Sequence, residues 1–236
     1  MPSNRVHPTA VIGEGVELGT GNVVMPYAVI LGPVTIGDDN WFGPHSLIGA
    51  PPQFRLGPHP PWDEPQGQFP IVIGNGNRIR EFVSVAMGRV RSTTVGDRCI
   101  FMGRSNAPHD CVFDDDVTLA GGSQFSGNVT VGRGVNLGLE ASVRQNLVLG
   151  ALAMIGMDST VLTDIPPFAL VYGTPARVRG ANRVGLEREG WDGALIDRLD
   201  EHYRRFGTEP PDFLPEGLQP DLDVFVERVR LRDGAH

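Results

Sequence analysis

The chain contains no lysine: all 20 of its basic residues are arginine, against 28 aspartates and glutamates, for a formal net charge of −8. The arginines form no long run. This balance argues against a polyanion-binding surface, and nucleic acid is not an expected partner. Cysteine is nearly absent. Cys99 and Cys111 read as free buried thiols, because nothing marks the chain for an oxidising compartment. No apolar run approaches the ~18 residues of a membrane-spanning helix, and Met1 to Pro8 lacks the apolar centre of a signal peptide. A soluble, cytoplasmic protein without membrane insertion is expected. Histidine is sparse, with His7, His45, His59, His109, His202 and His236. Only His109 lies in the long uninterrupted middle of the chain. A zinc enzyme on such a chain would need three gathered histidines, so no metal is expected.

What the chain does have is a beat of six. Apolar residues recur at Val6, Ile12, Leu18, Val24, Ile30, Ile36, Phe42 and Ile48. They recur again at Ile73, Ile79 and Val85. A third run goes Val95, Phe101, Ala107, Phe113, Leu119, Phe125, Val131, Leu137, Val143, Leu149, Ile155 and Val161. Neither a helix nor an ordinary strand has this period. A hexapeptide repeat specifies a parallel β-helix, with three six-residue sides per coil. The residue four after the beat turns inward at a corner and is mostly small, as at Ala28, Ser46, Cys99, Ser105, Cys111, Ser123 and Ala153. Glycine often follows the beat, as at Gly19, Gly37, Gly74 and Gly96, which suggests a turn with unusual backbone angles.

The phase slips twice, between Ile48 and Ile73 and between Val85 and Val95. Insertions are therefore expected near 49–70 and 86–94. The first is long enough to be a lid or substrate loop rather than a connector. Asp164-Ile165-Pro166-Pro167 ends the coil. Helical periodicity follows over 182–189, 192–206 and 221–231. The expected organisation is an all-β coil over 1–167, then a carboxy-terminal extension and helical domain over 168–236.

His109 stands two residues after a beat and so faces out of the coil. An imidazole accepts a proton near neutral pH and suits a general base, and Asp110 beside it could orient the ring. Outward histidines are also found simply as surface residues. Several segments together are more specific: His7-Pro8-Thr9-Ala10, Ile36-Gly37-Asp38 with Asn40, Asn77-Arg78-Ile79-Arg80-Glu81, Ala107 to Cys111 around His-Asp-Cys, Thr118-Leu119-Ala120-Gly121, Asp164 to Pro167, and Asn182 to Gly190. In these, over roughly residues 5–206, the chain resembles the UDP-N-acetylglucosamine O-acyltransferases of lipid A biosynthesis.

The resemblance implies a left-handed coil and a homotrimer with sites between neighbours. It implies transfer of a 3-hydroxyacyl chain from acyl carrier protein to the 3-hydroxyl of a nucleotide sugar, with no cofactor beyond the acyl carrier co-substrate. It makes His109 the general base, Asp110 its support and the Gly121 N–H the oxyanion donor. Gln53, Gln145, Asn182 and Arg188 match substrate-contacting positions. Met157 matches a position along the acyl groove, where a bulky side chain would favour shorter chains. An acidic carrier protein would dock on arginines, with Arg78, Arg80, Arg89, Arg91, Arg98 and Arg104 as candidates.

The chain also departs from the family. Asn106, Gly122 and Arg144 stand where relatives carry histidine. Phe54 replaces an aspartate beside Gln53, Val184 a glutamate and Glu189 an arginine. These changes surround the sugar and nucleotide, and they leave the acceptor open. An N-acyltransferase or CoA-dependent acetyltransferase on another sugar remains an alternative, as does a non-catalytic trimeric scaffold. The lipid A N-acyltransferase has a further domain ahead of its coil, whereas the beat here starts at Val6.

Overall fold

A computed structural model describes residues 3–55, 60–61, 64 and 68–234. Short strands of two to five residues stack into a three-sided left-handed parallel coil of about nine turns. The first face starts at Arg5–Val6, the second at Val11–Ile12 and the third at Val16–Leu18. Register is parallel throughout the coil, so Val6 lies under Val24, Val24 under Phe42, and Ile100 under Thr118.

Every beat residue from Val24 to Val161 is at most 5% exposed. The beat residues of the first coil are not buried: Val6 is 42% and Ile12 is 37% exposed, at the open end of the prism. Inside the column, Phe101, Phe113 and Phe125 pack edge to face with centroids 5.1 and 5.3 Å apart. This geometry suits ring quadrupoles.

The turns correct one reading of the glycines. Left-handed backbone falls on the third residue after most beats, including Tyr27 (φ 60°), His45 (φ 58°), Phe82 (φ 59°) and Asp110 (φ 65°). The glycines that follow the beat serve close approach between coils instead. A Cβ on Gly37 would stand 2.8 Å from the Gly74 carbonyl oxygen.

The edge between the third and first faces carries polar ladders that hold the coils in register. Inside, the Asn40 N–H donates to Asn22 Oδ1 (2.9 Å), and the Asn40 Nδ2 donates to the Gly74 carbonyl (3.0 Å). Asn40 Oδ1 in turn accepts the Asn77 N–H (2.9 Å), and Asn77 Oδ1 accepts the Cys99 N–H (2.7 Å). All three asparagines are buried. Outside, Asp38, Asn75, Asp97 and Asp115 form a second ladder, each accepting a backbone N–H from a coil below. The second face is split between Asn106–Ala107 and Gln124–Phe125. There the Asn106 amide takes over both ladder bonds, donating to the Phe125 carbonyl and accepting its N–H at 2.7 Å.

Both insertions are present where the phase slips. Of the first, expected as a lid or substrate loop, residues 56–59, 62–63 and 65–67 lie outside the described residues. Its described ends pack on the second: the Met87 N–H donates to the Ala50 carbonyl (2.8 Å) and the Gly88 N–H to the Phe69 carbonyl (3.1 Å).

After Pro167 the chain makes one more strand, Ala169–Tyr172, in parallel with Met154–Ile155, then returns antiparallel as Arg177–Ala181. This hairpin was not visible in the beat. Helices α1 (Arg183–Arg188), α2 (Gly193–Phe206) and α3 (Gln219–Asp233) match the three helical stretches of the sequence. Asn182 and Asp192 cap α1 and α2 through their side-chain oxygens. Phe168, Val171, Leu186, Ile196, Leu199 and Tyr203 continue the core of the coil without a break. The Tyr203 hydroxyl donates to the Pro167 carbonyl at 2.5 Å. Helix α3 folds back over the third face. Three arginine–aspartate pairs fasten it: Arg228 to Asp114, Arg133 to Asp221 and Arg232 to Asp164.

Replacing Asn40 by alanine strands the Asn77 N–H and the Gly74 carbonyl in the interior. Each group left unpaired should cost about 1–3 kcal/mol. A urea unfolding midpoint unchanged from that of the unsubstituted chain would show that the ladder is not needed.

Candidate functional site

His109 and Asp110 form the turn between the second-face strand Asn106–Ala107 and the third-face strand Val112–Phe113. The imidazole therefore stands on the edge where those two faces meet. Its side chain is 16% exposed, and its Nδ1 lies 2.7 Å from Asp110 Oδ2. The other Asp110 oxygen, Oδ1, accepts three consecutive backbone N–H groups from the second insertion: Arg89 (2.8 Å), Val90 (2.9 Å) and Arg91 (3.0 Å). The Asp110 N–H donates to Thr93 Oγ1 (3.0 Å), and Arg91 Nε donates to the Asp110 carbonyl (2.7 Å).

Burial alone would raise the Asp110 carboxyl. The bonds from Val90, His109, Arg91 and Arg89 outweigh it and hold the carboxyl below its usual range. An ionised carboxylate can only accept, so the imidazole donates from Nδ1 and Nε2 is left to take a proton.

One coil above, Gly127 faces the ring. A Cβ on Gly127 would stand 2.6 Å from His109 Nε2 and overlap the rest of the imidazole edge. Only a residue without a side chain fits there. Among the described residues no hydrogen bond uses the Gly127 N–H. Gly121, expected as the backbone donor, stands instead on the edge between the first and second faces, against the Gly103 carbonyl and Leu139. Gly122 is on that same edge under Glu140. The position in register with Asp110 is Asn128, whose amide bonds to Asn146 at 2.9 Å. Adding one coil of eighteen residues to His109 would have found Gly127 in the sequence. Within one chain, neither Gly121, expected as the oxyanion donor, nor Gly122, expected among the substrate positions, lies beside His109; Gly127 does.

The remaining candidates divide into two groups. Gln145 continues the His109–Gly127 column one coil further, with Arg144 beside it, and both are exposed. Gln53 is exposed at the start of the first insertion, on the same edge; the neighbouring Phe54 ring lies 4.4 Å from the Arg89 guanidinium carbon. Asn106 is next to this edge, but its amide is fully used in bridging Phe125.

The second group is elsewhere. Asn182 and Arg188 line a groove of about 580 Å³ between α1 and the outer surface of the first face, with Thr118, Asn136 and Met154. Asn182 caps α1 and donates to the Leu152 carbonyl (2.8 Å). Arg188 is exposed and forms no ion pair among the described residues. Met157 projects from the first–second edge and is 64% exposed. In a three-sided coil, the first face lies opposite the second–third edge. One chain thus carries the two groups on opposite sides.

Four of the six arginines expected to dock a carrier are engaged within the chain. Arg98 is committed to Asp115 and Asp116, Arg80 to Glu81, and Arg91 to Asp110. The guanidinium of Arg78 binds backbone carbonyls. Burial pushes both thiols, Cys99 and Cys111, up to about 12, so neither is a nucleophile at neutral pH. Among the described residues no cluster of three or more His, Cys, Asp or Glu side chains could hold a metal ion, and no helix is long and apolar enough to cross a membrane.

Comparison with known proteins gives a consistent picture. Residues 164–210 match the model of the second domain of UDP-N-acetylglucosamine O-acyltransferase. A Verminephrobacter eiseniae protein named acyl-(acyl-carrier-protein)–UDP-N-acetylglucosamine O-acyltransferase is 35% identical over 222 residues, covering 85% of this chain and 82% of its own length. A protein of the same name from Aliarcobacter butzleri is 31% identical over 251 residues, covering 96% of this chain and 94% of its own length. The crystal structure of UDP-N-acetylglucosamine O-acyltransferase from Moraxella catarrhalis superposes with a TM-score of 0.83 at 25% identity, covering 98% of this chain and 91% of that one.

The lowered Asp110 carboxyl makes a prediction about pH. A carboxyl depressed in the folded state contributes stability above its unfolded value, about 3.9, and loses it as pH falls through the folded value. Asp110→Asn keeps the Oδ1 acceptor and removes the charge. Its stability deficit in urea should be largest at neutral pH and shrink below about pH 4. A deficit that is constant with pH would show that the charge contributes nothing.

Proposed function

The chain belongs to the UDP-N-acetylglucosamine O-acyltransferase family and is an O-acyltransferase; on that premise we propose that it moves a 3-hydroxyacyl chain from acyl carrier protein to the 3-hydroxyl of a UDP-N-acetylglucosamine-type sugar, with His109 as general base. The observation that carries the reading is the His109–Asp110 pair, with Nδ1 held at 2.7 Å by an ionised carboxylate and Nε2 turned toward the bare Gly127 backbone.

The reaction then proceeds in balanced steps. His109 Nε2 takes the sugar hydroxyl proton while the oxygen attacks the thioester carbonyl. The tetrahedral oxyanion is met by the Gly127 N–H, which has no hydrogen-bond partner among the described residues. Collapse breaks the carbon–sulfur bond, and the imidazolium returns its proton to the departing carrier thiol. No acyl-enzyme is formed and no resident cofactor is required.

The opposed placement of the two residue groups supports a homotrimer. A C3 ring would bring the second–third edge of one copy against the first face of the next. His109, Gly127, Gln145 and Gln53 from one copy would then face Asn182, Arg188 and Met157 from its neighbour. Arg188, which forms no ion pair among the described residues, would take a diphosphate. Arg144, the exposed neighbour of Gln145, would stand at the rim of that cleft. Met157 would stop the acyl chain short. We place the protein in the cytoplasm, with acyl carrier protein and a nucleotide sugar as its partners.

The departures near the acceptor favour no second reading, because they leave the His109–Asp110 pair and the Gly127 backbone facing it in place. His109→Ala should lower transfer from 3-hydroxyacyl carrier protein to the nucleotide sugar by about 10²–10⁴-fold with the melting temperature unchanged. Transfer within a few-fold of the unsubstituted enzyme would remove the base from the account and restore the scaffold alternative.

A further inference from the structure

We propose that the hairpin formed by Met87 to Arg91 is a positioning element, whose three backbone N–H groups fix the Asp110 carboxylate and thereby aim His109. The inference rests on the general-base reading above and assigns a role to residues that carry no reactive side chain.

The geometry is specific. The Asp110 side chain is 3% exposed, so water does not compete for its oxygens. Oδ1 is shared by three successive N–H groups within 3.0 Å, a backbone concavity of the kind that holds anions. With Oδ1 held from one side, Oδ2 has one remaining partner, the Nδ1 of His109. Asp110 itself sits in left-handed backbone (φ 65°), anchored by its N–H to Thr93 and by its carbonyl to Arg91. The carboxylate therefore cannot follow the imidazole if the ring swings. Instead the ring is held to the carboxylate.

The hairpin is itself held by the longer insertion. Met87 is buried and its N–H donates to Ala50, while the Gly88 N–H donates to Phe69. The Phe54 ring lies against the guanidinium of Arg89, the first of the three donors. Gly88 allows the tight return: a Cβ there would overlap the Arg91 carbonyl oxygen and stand 2.9 Å from the Phe69 Cβ. The two breaks in the hexapeptide phase thus have one joint purpose, since the first braces the second and the second braces Asp110.

The test uses two substitutions in the full chain. Val90→Pro deletes the central N–H, and the Val90 side chain is 64% exposed, so no packing is lost. Gly88→Ala forces the return of the hairpin open by a different route and keeps the question answerable if one variant does not fold. With 3-hydroxyacyl carrier protein and UDP-N-acetylglucosamine, either variant should lose about tenfold or more in kcat with KM little changed. The Asp110 carboxyl, followed by carbon NMR, should titrate upward toward the ordinary aspartate range. The His109 Nδ1–H resonance should lose its protection from exchange.

A folded variant with the Asp110 titration, the Nδ1–H signal and kcat all within twofold of the unsubstituted protein would overturn the proposal. The NMR readouts do not depend on turnover. An inactive nest variant with an unmoved Asp110 would also count against it, whereas full activity in His109→Ala would fail the general-base reading alone.

Discussion

Everything at the site depends on parallel stacking at a fixed register. Because each coil lies squarely on the one below, a column of residues eighteen apart shares one edge and one direction. His109, Gly127 and Gln145 form such a column. The bare Gly127 backbone meets the imidazole because the register allows nothing else there. The register is secured elsewhere, by buried asparagines and outer carboxylates on the third–first edge. A β-helix has little internal slack, so a side chain on its wall is aimed by the wall rather than by its own packing.

The same rigidity fixes two groups of residues on opposite sides of one chain. A prism cannot fold around its substrate, and its faces are too flat to enclose one. His109 and its bare backbone neighbour stand on one edge, and the groove with Asn182 and Arg188 lies across the opposite face. The departures from relatives fall on both sides. Phe54 has joined the support of the hairpin through Arg89, and Glu189 reaches Arg133 at 3.8 Å. Asn106 has been drawn into the strand ladder. Phe54, Glu189 and Asn106 each make a structural contact in this chain, and the His109–Asp110 pair stands apart from them.

The sequence revealed the coil because its signal is additive. Twenty-three apolar residues at one period leave no other arrangement of comparable burial. It also pointed to the His109–Asp110 contact, which the structure shows at 2.7 Å, and to all three helices. It did not reveal the asparagine ladder, although Asn22, Asn40 and Asn77 occupy the same inward position as Cys99; polar residues at a core position break the expected pattern. The hairpin Ala169–Ala181 was hidden because it lies past the end of the beat. Local likeness points to Gly121 as the backbone donor, whereas counting one coil from His109 leads to Gly127, the glycine that faces the ring. The three N–H groups on Asp110 were invisible in principle, since every residue but proline carries one.

The account's central claim is that one copy supplies His109 and the next supplies Arg188 to the same reaction. Mixing answers it directly. Chains carrying His109→Ala and chains carrying Arg188→Ala, each impaired alone, are produced together so that trimers contain both. If the site spans the seam, some seams in the mixed trimers join an intact edge to an intact face, and transfer activity rises well above the sum of the two parents. If both residues served one chain's own site, every subunit would remain defective and the mixture would show only the average of its parents.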